Sequence, residues 1–293
     1  MARALLIANP AAARNRPLAV KAILDTFRTA GWNTELAETA GPGDARTLAA
    51  RGVDSGMDVV AVFGGDGTTM QAASSLVGTD VPLGVIPGGT GNLLAGNLRI
   101  PISPVRATEA LLAGRARRFD LGRVERSDGV HYFAVACGAG YDARVMAGTP
   151  AALKRRWKIG AYLATTVRLL GELRTARHHI SVDGVEFDAE AAMVLVANCG
   201  EVIPPFIRLR RGISPDDGVL DVIVIRASNF RQSVRAVWHL LRETPGGYVA
   251  YARGSEVRVV SEPAEPVQLD GEPGGTTPFT AAVVPGAICI MMK

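Results

Sequence analysis

Two glycine-rich turns, each placed where an apolar run ends and a helical pattern begins, constrain this chain most. The first is Gly64-Gly65-Asp66-Gly67-Thr68, after the run Asp58–Phe63, and the second is Pro87–Asn92, after Pro82–Ile86. Backbone without side chains lets amide N–H groups surround a phosphate, and the helix N-terminus that follows favours negative charge. One such turn is more simply a tight connection, but two on neighbouring strands predict a nucleotide phosphate site.

Two common classes of nucleotide site do not match these turns. Neither turn continues into Gly-Lys-Ser/Thr, so neither is a Walker A loop. Neither has the G-x-G-x-x-G spacing with a downstream ribose-binding acid, which disfavours a dinucleotide dehydrogenase. The polar residues at the predicted strand ends are then the candidate ligand contacts: Asn9, Thr39, Gly64, Gly65, Asp66, Gly67, Thr68, Gly88, Gly89, Thr90 and Asn92.

The first 120 residues alternate short apolar strands with helical patterns. Strands are predicted at 4–8, 33–37, 58–63 and 82–86, and helices at 17–30, 43–52, 68–76, 92–98 and 104–113. This alternation predicts an α/β domain with a parallel sheet covered by helices, in which ligands collect at the carboxyl ends of the strands.

From about residue 120 the chain becomes rich in strand patterns. The Asp183-Gly184 pair is typical of a tight hairpin, and Asp270-Gly271 and Pro285-Gly286 indicate further turns. We expect residues 1–120 to form the nucleotide-binding domain and residues 121–293 a β-sandwich, with the last residues packing back on the first domain. Three helical segments are expected within the second domain, near 142–148, 151–175 and 230–242.

Composition narrows the function classes. The chain is 48% apolar and 20% charged, with a formal charge of +4 and a pI near 9.2, which suits an anionic ligand or membrane surface. Three cysteines in apolar contexts predict buried thiols and a cytoplasmic protein, and the short apolar N-terminus predicts a first strand rather than a signal peptide. Only 5% of residues are aromatic, so nucleic-acid binding is not expected.

Five segments together resemble the diacylglycerol kinase catalytic domain family, which includes bacterial soluble lipid kinases and sphingosine kinases. They are the two glycine turns, Gly138–Ala143, Ser214–Asp221 and Asp270-Gly271-Glu272, and their order and spacing cover nearly the whole chain. The first motif alone is shared with NAD kinases, whereas the set of five is more specific. One departure is Ala11–Arg16, where the family often has a lysine-containing loop; Arg14, Arg16 or the backbone would have to contact phosphate there.

The resemblance implies roles for the acidic residues. Glu272 would be the general base for the acceptor hydroxyl, and its alternative is a solvated hairpin tip. Asp66 would hold the catalytic Mg²⁺ or polarise the γ-phosphate, a role compatible with capping the following helix. Asp120 and Asp142 resemble positions that line the acceptor site, although Asp120 could equally pair with an arginine such as Arg118 or Arg123.

A second Mg²⁺, structural in the family, would lie at the Asp216-Asp217-Gly218 turn. We expect it on the Asp217 carboxylate with the carbonyl groups of Ser214 and Val219, since hard cations prefer oxygen ligands. A metal-free turn is the competing interpretation.

A kinase acting on a membrane lipid must touch the bilayer. The segment Lys154–Lys158 lies in a basic amphipathic pattern that predicts peripheral membrane contact. A second basic helix, Phe230–Leu241 with Arg231, Arg235 and Trp238, is expected instead to bury its apolar face on the β-domain.

Taken together, these observations predict an ATP-dependent and Mg²⁺-dependent lipid kinase, most simply a diacylglycerol kinase producing phosphatidic acid. ATP would bind the first domain and the lipid alcohol the cleft or the second domain, and a homodimer is possible. The alternatives are an NAD kinase-like enzyme and a catalytically silent nucleotide- or lipid-binding regulator.

Overall fold

The structure of the protein is a computed structural model that describes residues 1–14, 16–126, 129–141, 143–144, 174–204, 207–242 and 247–293. It divides the chain into two compact units. The first comprises Met1–Phe119 with Gly286–Lys293, and the second comprises Asp120–Pro285. The chain leaves the first unit within β5 (Arg115–Arg126) and returns to it within β18 (Phe279–Met292).

The first unit is an α/β domain, as predicted. Its strands are β1 (Arg3–Ala8), β2 (Asn33–Glu38), β3 (Val59–Gly64) and β4 (Leu83–Pro87). Its helices are α1 (Pro17–Thr29), α2 (Asp44–Asp54), α3 (Asp66–Leu76), α4 (Leu93–Asn97) and α5 (Pro104–Leu112). The strands pair in the order β2-β1-β3-β4, all parallel, and Ile290 of β18 pairs in parallel with Leu83.

A helix stripe and a fully apolar sheet build the core of this unit. Val20, Ile23 and Phe27 recur at helical spacing on α1 and are buried. Strand β3 is apolar and buried along its whole length, and β1 is so after its exposed first residue, because both faces of the sheet are covered. Leu6 and Phe63 join this cluster from the sheet. The parallel register brings the carboxyl ends of β1, β3 and β4 to the same edge.

The second unit is built of antiparallel strands. They are β6 (Gly129–Phe133), β7 (Ala136–Gly140), β8 (Ala176–Val182), β9 (Val185–Ala191), β10 (Met193–Ala197), β11 (Glu201–Ile203), β12 (Ile207–Arg208), β13 (Leu220–Ile225), β14 (Val249–Gly254), β15 (Glu256–Glu262), β16 (Pro266–Leu269) and β17 (Glu272–Thr276). One sheet has the order β14-β13-β10-β7-β16-β17, and in the other β9 pairs β8, β8 pairs β15, and β15 pairs the first part of β18. A shared apolar cluster, including Phe133, Val196, Val222 and Val259, joins strands of the two sheets and confirms the β-sandwich-like prediction.

Turn predictions in this unit had mixed outcomes. Asp183 and Asp270 both have positive φ and are each followed by a positive-φ glycine, so the predicted hairpin at Asp183-Gly184 and the predicted turn at Asp270-Gly271 are confirmed. The predicted turn at Pro285-Gly286 is wrong, because β18 runs through it without reversing. The helix predicted near 230–242 is present as α6 (Phe230–Arg242), whereas those near 142–148 and 151–175 lie mostly outside the described residues.

The length and the apolar content of a helix decide whether it can cross a bilayer. Among the residues that the structure describes, no helix is both long enough and apolar enough to cross a bilayer.

Candidate active site

The two glycine turns are in direct backbone contact. The Gly64 carbonyl accepts hydrogen bonds from the amides of Gly88 at 2.7 Å and Gly89 at 3.1 Å. A Cβ atom on Gly89 would lie only 2.6 Å from the Gly65 Cα. Glycine at position 89 is therefore required by the packing of one turn on the other.

Two other glycines in the first turn are not required by packing. A Cβ on Gly67 would meet nothing within 4 Å, and one on Gly65 would meet only the Gly89 Cα at an ordinary 3.5 Å. Neither residue has the positive φ that favours glycine. Their missing side chains therefore leave open space beside the first turn of α3, which is where a phosphate would approach the helix N-terminus.

Asp66 links the two turns through its side chain. It is the first residue of α3, so the helix begins two residues earlier than the predicted start at Thr68. Its Oδ1 accepts the Leu93 amide at 2.6 Å, at the start of α4, and a Cβ on Gly91 would lie 2.8 Å from its Oδ2. Burial raises the pKa of Asp66 to about 6, and hydrogen bonds from the amides of Asn92, Leu93 and Leu94 partly offset this effect.

The amide side chains predicted to contact nucleotide are largely engaged within the fold. Asn9 donates from Nδ2 to the Thr68 hydroxyl at 2.8 Å and accepts the Ala11 amide at 2.9 Å. Asn92, with φ of 52°, closes a ring with Gly89 through two hydrogen bonds of 2.9 Å. These residues shape the loops, and Thr39 and Thr90 remain as half-buried hydroxyl residues at the ends of β2 and β4.

Arg14 is the strongest phosphate-binding candidate in the loop that departs from the family pattern. Its amide donates to the Gly88 carbonyl at 2.9 Å, which places the loop against the second glycine turn. Its Nη1 atom is buried and has no hydrogen-bond partner, whereas Arg16 is exposed. An unsatisfied buried guanidinium nitrogen is costly, and an anion at this position would satisfy it.

In the second unit, Asp270 anchors the turn that carries Glu272. Its buried carboxylate accepts the amides of Ala134, Val135 and Ala136 at 2.7, 2.8 and 2.9 Å. The Gly271 amide donates to Gln268 Oε1 at 2.6 Å. The sequence did not reveal this role, because the three amides are more than 130 residues away along the chain.

Glu272 itself is the first residue of β17 and is exposed. The proposed base therefore follows directly after a turn whose position is fixed by the hydrogen bonds of the Asp270 carboxylate. Its role as a base stays a prediction.

Asp120 is buried and holds the Asp216-Asp217-Gly218 turn. Its amide donates to the Pro215 carbonyl at 2.6 Å, and its Oδ2 accepts the Gly218 amide at 2.8 Å. The arginines considered as its partners bind elsewhere, since Arg118 pairs with Asp80 and Arg123 with Glu125. A contact with the acceptor stays a prediction, as it does for Asp142, which lies outside the described residues.

The predicted structural metal position already faces an arginine. Arg253 pairs with Asp217 through Nη2, and its Nε lies 3.2 Å from Asp221 Oδ1. The Asp217 carboxylate also accepts the Val219 amide at 3.3 Å, and Ser214 hydrogen-bonds Asp216.

Asp221 adds a second, buried carboxylate to this cluster, which a nearby positive charge would stabilise. It is 1% exposed, its Oδ2 has no hydrogen-bond partner, and burial raises its pKa. No group of three or more His, Cys, Asp or Glu side chains among the described residues is arranged to hold a metal, so a cation at Asp217 would depend on carbonyl groups and compete with Arg253.

Comparisons with known proteins agree with the resemblance. Residues 3–124 match the model of the diacylglycerol kinase catalytic domain, and residues 135–292 match that of the YegS C-terminal NAD kinase beta sandwich-like domain. The Bacillus subtilis protein named "Diacylglycerol kinase" is 31% identical over 95% of this chain and 92% of its own. A Pseudomonas fluorescens protein, "Probable lipid kinase YegS-like", is 32% identical over 98% of this chain and 94% of its own.

Solved structures share the fold over nearly the whole chain. A protein from Bacillus anthracis matches with a TM-score of 0.85 and 25% identity, covering 99% of this chain and 97% of its own. With the glycine turns, the Asp-Asp-Gly turn and the Asp-Gly-Glu turn in the positions described above, these matches show that the chain belongs to the diacylglycerol kinase-like family of lipid kinases.

Proposed function

We propose that this protein is an ATP-dependent lipid kinase that transfers the γ-phosphate to the hydroxyl of diacylglycerol, giving phosphatidic acid. The observation that carries the proposal is the open space at Gly65 and Gly67, beside the α3 N-terminus, within a family of lipid kinases. The fold does not need glycine at these positions, so a bound phosphate is the physical reason for their lack of side chains.

The donor would bind to the first unit. Amides at the start of α3 approach its phosphates, and the buried Nη1 of Arg14 gains an anionic partner. Asp66 would hold Mg²⁺ with the phosphates, and the cation would neutralise charge that develops during transfer. This assignment fits the raised pKa of Asp66, because a carboxylate that is costly to ionise is stabilised by a nearby cation.

The acceptor chemistry would use the second unit. The hydroxyl oxygen forms a bond to the γ-phosphorus while the bond from that phosphorus to the bridging oxygen breaks, leaving ADP. Glu272 takes the hydroxyl proton, and Asp270 is a positioning residue that fixes the turn below it. Because Glu272 is exposed in this structure, it is accessible to a proton from an incoming alcohol.

A transfer assay with labelled ATP tests this proposal. Purified protein is offered diacylglycerol, monoacylglycerol, sphingosine and NAD in parallel, with Glu272→Gln as the inactive control. We expect labelled phosphatidic acid from the wild-type protein and a strong loss in the variant. Transfer to NAD alone would favour the NAD kinase-like alternative, and ATP binding without transfer to any acceptor would favour a silent regulator.

Arg14 provides a matched test of the donor site. We expect Arg14→Gln to weaken ATP binding measured by calorimetry, because the variant removes the guanidinium group whose Nη1 atom is buried without a hydrogen-bond partner. Arg16→Gln changes the same charge on an exposed neighbour and serves as the control. Equal ATP affinity in the two variants would remove Arg14 from the donor site.

The membrane is the proposed source of the acceptor. The segment predicted to touch it, Lys154–Lys158, lies outside the described residues.

A further inference from the structure

The solvent-exposed face of helix α6 combines basic and apolar side chains. Five exposed residues recur at helical spacing on it: Arg231, Val234, Arg235, Trp238 and Arg242. The exposed fraction is 52% for Val234 and 53% for Trp238. The expectation that this helix turns its apolar residues inward is therefore wrong for these two.

The opposite side of α6 attaches it to the second unit. Ser233 and Ala236 are 7% and 1% exposed, and the helix packs against β12 and β14. Two apolar side chains thus remain in water although the helix is anchored by its other side. A solvent-exposed tryptophan beside a second apolar residue is typical of a surface that another phase or partner covers.

The charge on this face has one sign. Three arginines surround Val234 and Trp238, and the sequence of α6 contains no Asp or Glu. The Arg242 guanidinium lies 4.2 Å from the centroid of the Trp238 ring. The face therefore presents an apolar centre with a cationic rim, the combination found on helices that lie in the interface of anionic membranes.

A second copy of the chain fits this face less well. In a two-fold interface the same patch meets itself, so three arginines of each copy would oppose one another without acids from the helix to pair with. An anionic lipid surface satisfies both parts of the face, because headgroup phosphates pair with guanidinium groups and the indole ring prefers the interfacial region.

We propose that this face of α6 docks the protein on an anionic phospholipid bilayer. Trp238 and Val234 enter the interfacial layer, and Arg231, Arg235 and Arg242 bind headgroup phosphates. The inference rests on the proposed function only in that a membrane-borne acceptor gives the docking its purpose.

Vesicle co-sedimentation without ATP or diacylglycerol tests the docking directly. We expect binding to vesicles of phosphatidylcholine with phosphatidylglycerol, weakened by salt, and little binding to phosphatidylcholine alone. Replacing all three arginines by glutamine is expected to lower the affinity by about fivefold for each charge removed. The charge-matched control replaces exposed Arg46, Arg115 and Arg117 by glutamine, and unchanged melting temperatures show that both variants fold.

Tryptophan emission locates the contact. With Trp32 and Trp157 replaced by phenylalanine, Trp238 is the one remaining tryptophan. Its emission maximum should shift to shorter wavelength when anionic vesicles are added. Trp238→Ser should weaken vesicle binding, whereas Val185→Ser, at an apolar residue that is even more exposed, should not. Equal vesicle binding by the α6 variants and their controls, or an unshifted Trp238 emission, would overturn the proposal.

Two further outcomes separate this inference from its rivals. If Trp238→Ser converts a dimer into a monomer and leaves vesicle binding unchanged, α6 is a subunit interface and the proposal is wrong. Turnover of a short-chain diacylglycerol in solution tests the kinase independently, so its absence beside intact vesicle binding contradicts the proposed function and supports the docking.

Discussion

Replacing Asp66 by asparagine should make the ligand-free protein more stable at neutral pH and less active. Burial raises the pKa of this carboxyl from 3.8 to about 6 in the folded state. Between pH 3.8 and about 6, the folded protein therefore holds a proton on Asp66 that the unfolded chain has released. The resulting stability is fully present below about pH 3.8 and is lost as the pH rises through about 6.

The magnitude follows from the same pKa. The difference between 3.8 and about 6 corresponds to about 3 kcal/mol of lost stability at neutral pH. Asp66 is partly exposed, so solvent screening reduces this to about 1–2 kcal/mol. Asparagine keeps an oxygen that can accept the Leu93 amide but never ionises. The gain should raise the melting temperature by about 3–6 °C.

Thermal unfolding of the wild-type protein and Asp66→Asn, measured from about pH 4 to pH 8 without nucleotide, checks this reasoning. The difference in melting temperature should be near zero at the acid end, grow up to about pH 6 and stay constant above about pH 7. Asp54→Asn, an exposed carboxylate in the same unit, should show no such growth. A difference that is independent of pH, or a less stable Asp66→Asn at pH 7.5, would refute the proposed environment of Asp66.

Three further predictions concern the glycines, the base and the Asp-Asp-Gly turn. Gly67→Ala should raise the stability of α3 by about 0.5–1 kcal/mol yet weaken ATP binding. Gly89→Ala should instead disrupt the packing of the two turns, because its Cβ would lie 2.6 Å from the Gly65 Cα. Chemical unfolding and ATP-binding calorimetry on both variants distinguish a phosphate site from a packing requirement. Glu272→Gln should lower kcat by about 10²–10⁴ with ATP affinity unchanged, and near-normal turnover would make Glu272 a turn residue. Mg²⁺ should raise the melting temperature of Arg253→Gln more than that of the wild type, since the guanidinium then no longer competes at Asp217; an equal effect would place the cation elsewhere.

The features predicted well from sequence are those with a local cause. Strand β3 is apolar throughout and ends in glycine, and the Asp183-Gly184 pair needs only its own backbone angles to form a turn. Such signals lie within a few residues of the structure they produce. The parallel sheet and the sandwich follow from repeating them along the chain.

The features that sequence did not predict depend on distant partners. Nothing near Asp270 indicates that its carboxylate binds the amides of residues 134–136. The exposure of Trp238 was also not predictable, because the side of α6 that is buried depends on where β12 and β14 lie, and these strands are distant in sequence or carry no local signal for it. Pro285-Gly286 has the composition of a turn, and Gly286 has a φ of 56°, but strand pairing on both sides of it continues β18 past this point.

The two glycine turns show how one motif can serve folding and catalysis through different residues. Gly64, Gly88, Gly89 and Gly91 have close neighbours within the protein, so their lack of side chains is explained by packing. Gly65 and Gly67 have none that a Cβ would displace, so packing does not explain their lack of side chains, and the explanation proposed above is a bound phosphate. Only substitutions at the second group should separate stability from nucleotide binding. The proposed donor site is therefore a small open surface beside the α3 N-terminus, and the tightly packed glycines fix the two turns that border it.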